Sequence, residues 1–133
     1  MERKAPAQIL SAMRIHMAAK ENIRSQMEDI AFAYTRLLSE GREENEEQLS
    51  ALLSRQRALS QQHFSTVLAI TRINRALDVL PEQERLLLEL VFCDGCPALD
   101  VMEELVIEKS SYYRLRKRAL QHFELAYYGS PDA

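Results

Sequence analysis

From Leu52 to Leu80 one pattern dominates the chain: Leu52, Gln56, Leu59, His63, Thr66, Ile70, Ile73, Leu77 and Leu80 return at alternating steps of four and three. Residues so spaced lie along one stripe of an α-helix. The spacing therefore predicts a single long helix that needs a partner along its whole length. The stripe is polar in its middle, at Gln56, His63 and Thr66, where a polar residue commonly fixes helix register. A segment of this kind has no place in a sandwich or barrel. Three Gly and four Pro in 133 residues are also too few turn-formers for many strands. The expected fold class is all-α.

Residues 7–39 predict another long helix. Ile23, Met27, Ile30, Tyr34 and Leu37 follow the same alternation, and Leu10, Met13 and Met17 extend it backwards less regularly. Gly41 can take the positive φ that often follows a helix end. Asn45 with Gln48 has the form of an N-cap and its reciprocal partner. Two long helices joined by a short link most simply make an antiparallel hairpin over residues 1–80. A stripe this regular also suits a second copy of the chain, so a homodimer through the long helices is expected.

Leu80-Pro81 ends the second helix, because Pro disfavours α conformation in the residue before it. Glu82 to Phe92 then read as a helix with Leu86, Leu87, Leu90 and Val91 apolar. Asp94-Gly95 is a turn signal. Ala98 to Leu105 form a short helix with Leu99, Met102 and Leu105 inward. The link Val106-Ile107-Glu108 leads to a last helix from about Lys109 to Tyr127, and Gly129-Ser130-Pro131 closes the chain. The expected division is a self-association region over 1–80, a second domain over 81–128 and a tail over 129–133.

Net charge is only −3, which argues against a simple basic nucleic-acid binder. The average hides a local asymmetry. Residues 81–106 hold seven acids and one basic residue, Arg85, whereas residues 109–123 hold five basic residues and no acid. A helix, a short helix after a turn and a basic helix after a tight link are the parts of a helix-turn-helix in their order. On the last helix, Tyr112, Leu115, Ala119, Phe123 and Ala126 share one face. Ser110, Tyr113, Arg114, Lys117 and Gln121 share the opposite one, with Arg118 beside them and Lys109 and Ser111 at its start. Such an outer face offers donors to base edges and to phosphates together. Arg can grip guanine with two bonds, Gln can grip adenine the same way, and Lys117 suits a phosphate.

These residues also carry a resemblance. Leu80-Pro81-Glu82-x-Glu84-Arg85 before a Leu-rich helix resembles the start of sigma-factor region 4 domains. Ser111-Tyr112-Tyr113-Arg114-Leu115-Arg116-Lys117-Arg118-Ala119 is similar to the third helix of the ArpU family of phage-encoded transcriptional regulators. The likeness covers residues 77–128, with weaker support from Ile23 to Leu38. It implies a sigma-region-4-like helix-turn-helix in a small DNA-binding activator of late phage genes, with Ser111, Tyr113, Arg114 and Lys117 facing double-stranded DNA. Three positions depart from the family pattern. Val106 stands where Gly or Asn is usual and suits positive φ poorly. Glu108 replaces the usual cap Ser, and Met102 replaces a small residue.

Other chemistry is not expected. Cys93 and Cys96 form a CxxC, but the three His lie on separate predicted helices, and a structural zinc site needs four ligands. Asp100, Glu103 and Glu104 read as solvated helix surface. No glycine-rich phosphate loop or nucleophile elbow is present, so the expectation is no enzyme, no cofactor and no metal. No apolar run approaches a membrane span, which predicts a cytoplasmic protein without membrane contact. The alternatives to a DNA-binding regulator are an interaction module that contacts RNA polymerase without touching DNA, and a phage DNA-packaging component.

Overall fold

The computed structural model describes residues 3–129. Every regular element among them is helical: α1 (Pro6–Ser11), α2 (Met13–Glu40), α3 (Glu46–Asp78), α4 (Glu82–Leu88) continued by a π-helical turn (Glu89–Cys93), α5 (Ala98–Leu105) and α6 (Lys109–Tyr128). The tail expected at Ser130 and Pro131 lies outside the described residues. The chain divides into two compact units. One holds the residues up to Ile15 and those from Ile70 onward, and the other holds His16–Ala69.

In the His16–Ala69 unit, Ile23 and Ile30 of α2 and Leu59 of α3 form a small buried cluster, joined by Met27 and Leu52. Arg55 donates to Gln26 Oε1 at 3.0 Å beside it. The alternating stripes on both helices are thus turned inward over this stretch. Asn45 precedes α3 as expected, but its side chain does not act as an N-cap. Its Nδ2 donates to the carbonyls of Leu37 (3.2 Å) and Gly41 (2.8 Å). The last carbonyls of a helix have no intrahelical partner, so the amide satisfies α2 rather than α3. Gly41 takes φ 135°, a conformation that only glycine reaches at low cost.

In the other unit, Ile9, Leu10 and Met13 pack with Ile70, Ile73, Ala76 and Leu77 of α3, with Leu87 and Leu88 of α4, Val101 of α5, and Tyr112, Leu115, Ala119 and Phe123 of α6. Several details differ from the sequence reading. The first helix is broken at Ala12, so α1 and α2 are separate. Met17 does not continue the buried stripe and is 46% exposed. The helix from Glu82 does not run regularly to Phe92. It widens into the π turn, closed by Asp94 N–H donating to Glu89 O at 2.8 Å. On α5 Met102 and Leu105 pack against the core as expected, but Val101 is the fully buried residue and Leu99 is 73% exposed. At about 100° per residue the two lie on opposite sides of that helix. Ala126 is also exposed, because the buried face of α6 ends at Phe123.

The link from α5 to α6 is closed by backbone bonds. Ile107 N–H donates to Met102 O at 3.0 Å and Val106 N–H to Glu103 O at 3.2 Å, the pair of bonds of a Schellman motif. This motif requires a left-handed residue, and Val106 fills it at φ 55°, ψ 55°. The β-branched residue accepts the conformation because the motif satisfies two carbonyls that would otherwise lack partners. Ile107 and Met102 both pack against the core, as the motif's apolar contact requires. A left-handed non-glycine residue costs about 1–2 kcal/mol, and glycine's extra unfolded-state freedom offsets part of the relief. Val106→Gly is therefore expected to raise stability by about 0.5–1 kcal/mol in urea denaturation. Val106→Ala, which keeps a Cβ, should recover less.

Candidate nucleic-acid interface

α6 begins at Lys109 after Glu108, which has extended backbone but makes no side-chain cap bond. Its inner face is set by Tyr112, Leu115, Ala119 and Phe123, all buried. The opposite face is open: Lys109, Ser110, Tyr113, Arg114, Lys117, Arg118 and Gln121 are exposed. Ser111 is only half-buried to one side, and its Oγ accepts from Arg114 Nη2 at 3.5 Å. Tyr113 stands edge-on to buried Tyr112, with ring centroids 4.9 Å apart.

Not every cation of α6 is available to a ligand. Glu84 of α4 is buried at 3% exposure, the only buried charged side chain among the described residues. A buried carboxylate must be paired to be tolerated. Here Arg118 Nε donates to its Oε2 at 3.2 Å, and His122 Nδ1 lies 2.6 Å from its Oε1. Arg118, expected at the DNA-facing edge, is therefore also a structural partner. Arg116 lies over the Phe92 ring at 5.1 Å. Lys109, Arg114 and Lys117 make no ion pair among the described residues. The far end of α6 is held separately. Arg72 of α3 lies 4.0 Å from the Tyr127 ring centroid, and Tyr128 Oη donates to Lys4 O at 3.0 Å.

Sequence reasoning missed Glu84 as a clamp and counted it only among the seven acids of residues 81–106. Arg118 and His122, one helical turn apart, mark a place where one anion could meet both. The anion is 34 and 38 residues away in sequence, however, and only packing brings it there. Asp100, Glu103 and Glu104 are exposed on α5, as expected of solvated surface.

The two cysteines are free and partly buried beside the turn. Cys93 Sγ lies 3.9 Å from Leu10 O. Burial, reinforced by the nearby Glu89 and Asp94 charges, pushes the Cys93 thiol up to about 11. Among the described residues, no group of three His, Cys, Asp or Glu is placed to hold a metal ion, and no helix is long and apolar enough to cross a membrane. Comparison of the chain with protein-family models, curated proteins and solved structures finds no match.

Two outcomes follow from this arrangement. Glu84→Gln removes the carboxylate that Arg118 and His122 both meet and should lower stability by about 1–3 kcal/mol in chemical denaturation. Loss of Arg118 alone should cost less, because His122 still meets the carboxylate. The folded state also holds the Cys93 proton more tightly than the unfolded chain does. Its stabilising contribution is complete below about pH 8.5. The contribution is lost as pH rises through about 11. In a Cys96→Ser chain, the iodoacetamide alkylation rate should keep climbing toward pH of about 11 rather than levelling near about 8.5.

Proposed function

We propose that the C-terminal helices form a sigma-region-4-like helix-turn-helix following a long N-terminal helical hairpin, and that α6 enters the major groove of double-stranded DNA. The protein is then a sequence-specific transcriptional regulator of the ArpU type, acting on phage or prophage late genes. One observation carries this reading. The face of α6 that exposes Ser110, Tyr113, Arg114, Lys117 and Gln121 lies opposite the buried face that anchors the helix, and the helix carries no acid before Glu124. The left-handed Val106 supports it, since it gives the α5–α6 link the positive-φ residue that the family pattern supplies with Gly or Asn. A homodimer would present two such helices to paired half-sites.

Arg114 lies near the start of α6, where base edges are reached. Lys117 lies one turn further on, where phosphates come closer. In a titration against a duplex enriched from a random pool, Arg114→Ala should weaken binding by about 1–3 kcal/mol and relax base preference. Lys117→Ala should weaken all sequences alike and reduce the salt slope by about one unit. Both variants should melt within about 0.5 kcal/mol of the parent, since neither side chain is in the core.

A second reading is an interaction module that contacts RNA polymerase. The outer side of α5 favours it, with Leu99 73% exposed among the exposed Asp100, Glu103 and Glu104. In a helix-turn-helix this element crosses the phosphate backbone, and carboxylates there oppose close approach. If no duplex is enriched and parent and variants bind DNA equally weakly, the interaction module is the correct reading.

A further inference from the structure

The regular stripe of α3 is used inside the chain, where Leu59, Ile70, Ile73 and Leu77 are buried. The other side of the same helix is not covered. Leu53, Phe64 and Leu68 are 42%, 65% and 53% exposed, and Arg57 between them is exposed as well. At about 100° per residue these four fall within about 60° of one another, on the side away from Leu59. They are also arranged symmetrically. Leu53 and Leu68 stand equally far from the point between Ser60 and Gln61, and so do Arg57 and Phe64.

We infer that a second copy of this chain docks on this face, α3 lying antiparallel on α3 about a two-fold axis that passes between Ser60 and Gln61. A two-fold contact uses the same patch on both copies. In this register Leu53 meets Leu68 of the second copy, and Arg57 lies over Phe64 of the second copy, where a guanidinium is attracted to the ring face. Charge selects the antiparallel order. No acid occurs from Leu53 to Leu68, and Arg57 makes no ion pair among the described residues. A parallel pairing would set Arg57 against Arg57, whereas the antiparallel one gives each Arg57 an aromatic partner. The stretch from Leu53 to Leu68 is about 22 Å long at 1.5 Å per residue. An interface of that length lies at the small end of specific contacts, so the dimer forms and dissociates with concentration.

The test is independent of DNA binding. Sedimentation velocity of the full chain from about 1 to about 200 µM should show monomer giving way to dimer, as a small specific interface requires. Phe64→Glu and Leu68→Glu should stay monomeric throughout, with unchanged far-ultraviolet circular dichroism. In a chain carrying Cys93→Ser and Cys96→Ser, Ser60→Cys should form a disulfide-linked dimer under mild oxidation. Leu53→Cys alone should not, because the two cysteines would be about 22 Å apart, beyond disulfide reach. A monomer at the top of the range overturns the inference. So does a dimer that survives both glutamate variants, or self-crosslinking of Leu53→Cys.

Discussion

The buried carboxylate of Glu84 is the constraint on which the arrangement of α6 rests. A carboxylate so far from water is tolerated only if it is paired and hydrogen-bonded. Arg118 and His122 reach it from α6, one turn apart, which fixes both the rotation and the axial position of that helix against α4. With that rotation set, Tyr112, Leu115, Ala119 and Phe123 fall inward. Ser110, Tyr113, Arg114, Lys117 and Gln121 are left to the outside. The clamp thus defines which cations remain for a partner: Arg118 is tied to α4, while Arg114 and Lys117 are not.

A second constraint acts through the backbone. Between α5 and α6 the Schellman bonds demand a left-handed residue, and Val106 provides it against its own preference. Satisfying two carbonyls and seating Ile107 against the core outweighs a penalty of about 1–2 kcal/mol. The π turn before it is closed by backbone bonds as well, from Asp94 to Glu89 and from Cys96 to Leu90.

α3 shows how one helical sequence can carry two apolar faces. The face with steps of four and three is continuous and easily seen. It is buried at Leu59 in one unit and at Ile70, Ile73 and Leu77 in the other. The second face is sparse, with two leucines, an arginine and a phenylalanine spread from Leu53 to Leu68. Its meaning lies in symmetry rather than density, since each member has a suitable counterpart when the helix is turned end for end.

The sequence by itself determined the helical class, most element boundaries and the two faces of α6, because these depend on period, turn residues and local charge. Leu115, Ala119 and Phe123 are spaced for burial whatever they pack against. Tertiary structure decided what depends on distant partners. Leu99 and Val101 are both apolar, and only the packing of α5 selects Val101 for the core. Asn45 reads as an N-cap locally, yet the nearby end of α2 supplies carbonyls with no other donor, and its amide turns to them. Glu84 looks like one more surface acid until α6 folds across it. Sequence distance hides that pairing, and burial makes it obligatory.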